Sequence, residues 1–130
     1  MPEIKTRKKL IEVGIPLDAI NKESLRRKQK APKGWPQSVH KWWAQRPLAA
    51  ARAVIFSQMV DDPSEHPEEF PDEKTQEKER QRLFRLIEQL VLWDNTTNQK
   101  VLNQARSEIW KSWRSTCADN KHHPHAAEWF

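Results

Sequence analysis

Residues 48–60, Leu-Ala-Ala-Ala-Arg-Ala-Val-Ile-Phe-Ser-Gln-Met-Val, carry a single charge, Arg52, in a chain that is otherwise strongly polar. Pro47 stands immediately before this run, where the first position of a helix tolerates a missing N–H, so the run reads as a helix. Leu48, Ala51, Ile55 and Met59 share one face, while Ala49, Ala53, Phe56 and Val60 spread apolar character around the rest, which is the pattern of a core element. Any fold of this chain has to cover that helix.

Little else is available to cover it. Mean hydropathy is −0.97 and 32% of residues are charged, so the apolar residues must be concentrated if the chain is to fold. They are, in 10–20, 39–60, 83–93, 101–117 and 126–130. In the first of these, Gly14 and Pro16 break residues 8–20 into a short apolar anchor. Asp18 or Asn21 is positioned to cap a helix with its body at 22–29. Residues 61–71 hold three prolines and five acids and read as an exposed linker loop. Asp72 then caps a long helix to about Trp93, polar in its first half and apolar at Leu83, Leu86, Ile87, Leu90 and Val91.

The capping residues of 94–98 predict a new helix from Asn98 to about Ala118. Its inner face takes Val101 or Leu102, Ala105, Ile109, Ser112 or Trp113, and Thr116 or Cys117. The two long helices should form an antiparallel hairpin, with one more helical turn at 126–130. The expected fold class is therefore all-α: an irregular N-terminal segment, a buried central helix and a long helical hairpin. It divides into a basic segment 1–60, an acidic Pro-rich loop 61–72 and a hairpin with a truncated end, 73–130.

Several chemistries are excluded by residue type. With only Gly14 and Gly34 there is no phosphate-cradling loop or dinucleotide fingerprint, which need several glycines in a short run. No nucleophile elbow, Cys-x-x-Cys pair or His-Glu-x-x-His helix occurs. Cys117 with His122, His123 and His125 matches no common zinc spacing, and Pro124 interrupts it, so 120–125 reads as a polar turn and no metal is assigned. The basic N-terminus has no long apolar run behind it, and no segment reaches the roughly eighteen apolar residues of a membrane span. One cysteine, Cys117, suits a reducing compartment. A cytoplasmic chain with no membrane partner is expected.

Charge is distributed unevenly. Residues 1–60 hold 13 Lys/Arg against 4 Asp/Glu, a balance of +9, while 61–130 hold 10 against 14, a balance of −4. The basic half contains Arg26, Arg27, Lys28, Lys30, Lys33 and Lys41, beside the sequence His40-Lys-Trp-Trp-Ala-Gln-Arg-Pro47. Cations interleaved with aromatics are the footprint of a phosphate and base contact. They also fit a solvated basic face beside a buried tryptophan pair, with His40 bonded to a carbonyl and Arg46 paired with an acid. Arg46 and Arg52, six residues apart along a helix, point roughly 120° away from each other. Arg52 is therefore expected to pair internally with Asp18, Asp61 or Asp62, and Arg46 to face a cleft with His40.

Residues 11–21 (Ile-Glu-Val-Gly-Ile-Pro-Leu-Asp-Ala-Ile-Asn), His40 to Phe56, Val60-Asp-Asp-Pro63, Leu90 to Asn98 and Ser112-Trp-Arg-Ser-Thr-Cys117 resemble the N-terminal region of large prokaryotic adenine-specific DNA methyltransferases. That region is classed as domain of unknown function 1156. The chain departs from the family at Gln45, where the family usually carries a first arginine before Arg46-Pro47. The resemblance implies a larger α/β enzyme of which this is an incomplete domain. The S-adenosylmethionine loop (Asp-Pro-Phe-x-Gly-Gly-Gly) and the Asn/Asp-Pro-Pro-aromatic catalytic sequence of that enzyme follow later and are not among these residues.

On this resemblance the chain is a fragment of a DNA methyltransferase, from a truncated or split gene or a shortened product, and does not methylate alone. His40, Trp42, Trp43, Arg46 and Pro47 would line the cofactor pocket, with Arg46 near the methionine carboxylate and a tryptophan near the cofactor or a flipped adenine. Arg26, Arg27, Lys28, Lys30, Lys33 and Lys41 would contact DNA. The implied partners are DNA and the missing C-terminal methyltransferase domain, and the implied setting is restriction-modification or phage defence. S-adenosylmethionine belongs to the full-length enzyme, and the isolated chain is expected to bind none. The competing readings are a stand-alone nucleic-acid-binding helical module and a structural or interaction domain.

Overall fold

The computed structural model describes residues 3–29 and 49–129. Among them the regular structure is helical: α1 (Leu10–Val13), α2 (Leu17–Gln29), α3 (49–59), α4 (Glu73–Val91), α5 (Gln99–Asp119) and α6 (Ala126–Trp129), with single 3-10 turns at Pro63–Glu65 and Trp93–Asn95. The one extended pairing among these residues is an antiparallel bridge between Lys9 and Asp61. It is closed by Leu10 N–H to the Val60 carbonyl and Asp62 N–H to the Lys8 carbonyl, both 2.9 Å.

Local chemistry starts and stops the long helices. At Asp72 the backbone N–H donates to Thr75 Oγ1, and that hydroxyl donates back to the Asp72 carbonyl, closing the first turn of α4. Asn98 caps α5 by accepting from the Lys100 N–H at 3.1 Å. The α4–α5 connection is tied down by Asn95, whose side-chain amide donates to the Gln89 carbonyl at 2.9 Å. The short connection 92–98 turns the chain back into an antiparallel hairpin, and Arg82 of α4 meets Glu108 of α5 at 2.6 Å across it.

The core joins the N-terminal segment and the central helix to this hairpin. Leu83, Leu86, Ile87, Leu90 and Val91 of α4 pack with Val101 and Ala105 of α5, with Leu10 and Ile20, and with Ala49, Ala53, Phe56 and Val60 from the central helix and its end. On α5 the buried residue of the Ser112/Trp113 pair is Ser112.

Three expectations need correction. Helix α2 starts at Leu17, directly after Pro16, whose carbonyl accepts from the Ile20 N–H at 3.2 Å; Asp18 and Asn21 therefore lie inside the helix and do not cap it. Helix α3 is buried along one face only, because its small residues and Phe56 turn inward while Ile55 and Met59 point out. The 61–71 loop is exposed only in its second half, at 67–69 and 71; in its first half Asp61, Asp62, Pro63 and His66 are all buried. Their charges find partners far away in sequence, as the next subsection shows.

Candidate functional site

The residues assigned to the cofactor, His40, Trp42, Trp43, Arg46 and Pro47, lie outside the described residues, as do Lys30, Lys33 and Lys41. Arg26, Arg27 and Lys28 fall in the second half of α2, with side chains outside the described set. What the structure brings together instead is a cluster of buried charge around Asp61 and Asp62, and an apolar groove beside it.

Asp61 and Asp62 turn in opposite directions. Asp61 Oδ1 accepts from Lys9 Nζ at 2.6 Å, Asp61 Oδ2 lies 3.1 Å from His66 Nε2, and the Asp61 N–H donates to Ser112 Oγ at 2.9 Å. Asp62 is fully buried and is gripped by Arg80 through two parallel hydrogen bonds, Nε to Oδ1 and Nη2 to Oδ2, both 2.9 Å. Its Oδ2 also accepts from the backbone and hydroxyl of Ser64. Burial alone pushes the Asp62 carboxyl up, but Arg80 and Ser64 outweigh it and hold the group below the ordinary aspartate range.

A second clamp closes the N-terminal segment against the end of α5. Arg7 donates to both oxygens of Asp119, at 2.7 and 3.0 Å, and to the Glu65 carbonyl at 2.9 Å. Its guanidinium hydrogen bond holds the Asp119 carboxyl low. Buried Asn120 accepts from the Lys5 N–H at 2.8 Å and donates to the Lys5 carbonyl at 2.9 Å, mimicking a strand partner. Two of these pairs, Lys9 with Asp61 and Arg7 with Asp119, join basic residues of the first half to acids of the second. The +9 balance of residues 1–60 is therefore partly neutralised within the fold.

Arg52 does not pair with Asp18, Asp61 or Asp62. Its Nη1 instead reaches the Leu90 carbonyl and Thr96 Oγ1, both at 3.4 Å. Asp61 is paired with Lys9 and His66, and Asp62 with Arg80. His66, Glu68 and Glu69 bring donor atoms within 4.8 Å of one another, yet Glu69 pairs with Lys111 and His66 lies against Arg7, so cations already balance the group. Among the described residues of this cluster, the buried acids Asp61 and Asp62 both have structural partners.

The groove is of a different kind. Thr6 and Lys9 of the N-terminal segment, Gln58 and Met59 at the end of α3, and Ile109, Trp110, Trp113 and Thr116 of α5 enclose about 470 Å³. Of its lining, Met59, Trp110 and Trp113 are 47%, 57% and 41% exposed, and Ile55, one turn before Met59 on α3, is 56% exposed. Sequence reasoning left either Ser112 or Trp113 for the hairpin interior and passed over Trp110. The available signal was the spacing Arg106, Trp110, Trp113, a stripe on the side of α5 away from Ala105 and Ser112.

Among the described residues no helix is long and apolar enough to cross a membrane. No curated protein and no solved structure matches the chain. A family profile, described as a protein of unknown function (DUF1156), matches residues 14–86, more than half of the 130 residues. The chain belongs to this DUF1156 family.

Proposed function

We propose that the chain is the N-terminal, by itself non-catalytic, domain or fragment of an S-adenosylmethionine-dependent adenine-specific DNA methyltransferase, contributing part of the cofactor pocket and some of the DNA contact. The observation that supports this reading is the span of the family match. Residues 14–86 contain the whole of His40 to Phe56 and Val60 to Pro63, which carry much of the resemblance to the methyltransferases.

The described residues do not by themselves fit the cofactor. Asp61 and Asp62, the buried acids beside the central helix, are spent on Lys9, His66 and Arg80, which leaves neither to accept from ribose hydroxyls. The groove beside them is lined largely by apolar side chains. The pocket wall is therefore assigned, on the resemblance, to His40, Trp42, Trp43, Arg46 and Pro47. The DNA contact is assigned to Arg26, Arg27, Lys28, Lys30, Lys33 and Lys41, since Arg7 and Lys9 are engaged in the fold.

The test is a full-length methyltransferase of this family carrying alanine at the position of Arg46. Methylation should be abolished while stability stays within about 0.5 kcal/mol, as for a substitution outside the core. Retained methylation, or a large loss of stability, would remove Arg46 from the pocket. A second reading, an interaction domain, is favoured by one observation, the exposure of Met59 and Trp110 at the apolar groove between α3 and α5.

A further inference from the structure

We propose that His66 is a proton-operated latch on the N-terminal segment: the neutral ring holds Arg7, and the protonated ring turns to Glu68 and lets Arg7 go. The inference rests on hydrogen-bond geometry in the 61–71 loop and does not depend on the methyltransferase reading.

Asp61 fixes the ring. Its carboxylate, paired with Lys9, only accepts, and its Oδ2 lies 3.1 Å from His66 Nε2, so Nε2 carries a hydrogen. Nδ1 is then left between two neighbours with opposite requirements. Arg7 Nη1, 3.2 Å away, only donates and needs a lone pair there. Glu68 Oε1, also 3.2 Å away, accepts when ionised and needs a proton there. The Glu68 carboxyl is held below the ordinary glutamate range, first by its own backbone N–H and then by His66, which keeps it an acceptor. One nitrogen cannot serve both neighbours, and a single proton decides between them. Imidazole is the side chain that ordinarily gains such a proton between about pH 8 and 5.

The other charges facing the ring are matched among themselves. Lys9 pairs with Asp61 and Arg7 with Asp119. Around the small cavity beside the ring, Lys111 of α5 pairs with Glu69, while Glu79 of α4 and Glu108 of α5 both pair with Arg82. Carboxylates, lysines and arginines ordinarily titrate outside that range, which leaves the histidine as the responsive group here.

The part that moves is the N-terminal segment. Arg7 Nη1 has two hydrogens, one given to the Glu65 carbonyl at 2.9 Å and the other to His66. Protonation replaces the second bond with two cations in contact, at a ring only 9% exposed, where water screens little. The bond from the Leu10 N–H to the Val60 carbonyl lies beyond the latch and stays. Thr6, next to Arg7, lines the apolar groove, so the segment that loosens is one wall of it.

The experiment titrates the full chain from pH 8 to 5 by nitrogen-15 NMR, reading the His66 ring and the hydrogen-exchange protection of the Lys5 amide. At pH 8 the ring should carry its hydrogen on Nε2 alone. As it gains the second proton, protection at Lys5 should fall roughly threefold or more while Leu10 holds. Glu68→Gln, at an exposed position that leaves the fold intact, should move both midpoints together to lower pH. His66→Gln, which cannot take the charge, should flatten the response at Lys5.

A hydrogen on Nδ1 at pH 8, a ring that stays neutral to pH 5, or Lys5 protection indifferent to the ring's charge would overturn the proposal. So would midpoints that Glu68→Gln leaves in place, or equal loss of protection at Leu10, which would mean unfolding of the whole and no latch.

Discussion

Arg80 holds Asp62 in a two-pronged grip across 18 residues of sequence, with both hydrogen bonds at 2.9 Å and the carboxylate fully buried. A planar guanidinium matches a carboxylate in this way, and a lysine cannot. The grip fixes the start of the 61–71 loop to the first half of α4.

Removing Arg80 therefore leaves a buried charge with only Ser64 for support. Arg80→Ala should destabilise by roughly 3 kcal/mol, the low end of what breaking a buried pair costs, since Arg80 keeps some exposure to water. Arg80→Lys should recover part of this and no more. Urea melts of the three proteins measure it; a loss under about 0.5 kcal/mol would show the pair to be dispensable.

Acid should reveal the same pair. Asp62 and Asp119 both sit below the ordinary aspartate value, Asp62 because Arg80 and Ser64 outweigh burial and Asp119 because of Arg7. A carboxyl whose folded pKa is depressed adds stability that is fully present above its unfolded value of about 3.9, and that is lost as pH falls through the lower folded value. Stability should thus drop steeply below about pH 4, and Arg80→Ala should show a shallower drop over the same range. Equal slopes in the two proteins would contradict the assignment of Asp62.

How much of this was legible depended on distance in sequence. The starts of α4 and α5 and their apolar stripes could be read directly, because Thr75 and Asn98 act within three residues and Leu83, Leu86, Ile87 and Leu90 repeat at helical spacing. The burial of Asp61 and Asp62 could not. Their partners Lys9, Arg80 and Ser112 lie 52, 18 and 51 residues away, and nothing local distinguishes a clamped acid from a solvated one. The exposure of Ile55 and Met59 was hidden for another reason: a helix apolar on all sides gives no indication of which side is covered. The pocket and DNA assignments rest on residues 40–47 and on residues 26–41, where the described structure offers no side-chain geometry.

Asn120 pins the N-terminal segment through the backbone of Lys5 on both sides. Asn120→Ala should cost about 1–2 kcal/mol, since the Lys5 groups it frees are near water and can be resolvated. Hydrogen exchange should quicken at the Lys5 amide while Leu10, bonded to the Val60 carbonyl, stays protected. Loss of protection at both would show that the segment is released as a whole.

Arg52 makes two long contacts, to the Leu90 carbonyl and Thr96 Oγ1. Arg52→Ala should cost about 1 kcal/mol, the worth of weak hydrogen bonds, well short of the roughly 3–5 kcal/mol of a broken buried ion pair. A thermal or urea melt separates the two values.

The reading of this chain as a methyltransferase domain that is non-catalytic by itself is tested most directly by titrating the purified chain with S-adenosylmethionine in a calorimeter. With two glycines in the sequence and the buried acids Asp61 and Asp62 already paired, binding heat should appear only above about millimolar ligand. A dissociation constant in the micromolar range would contradict it, because the chain would then hold a complete cofactor site of its own.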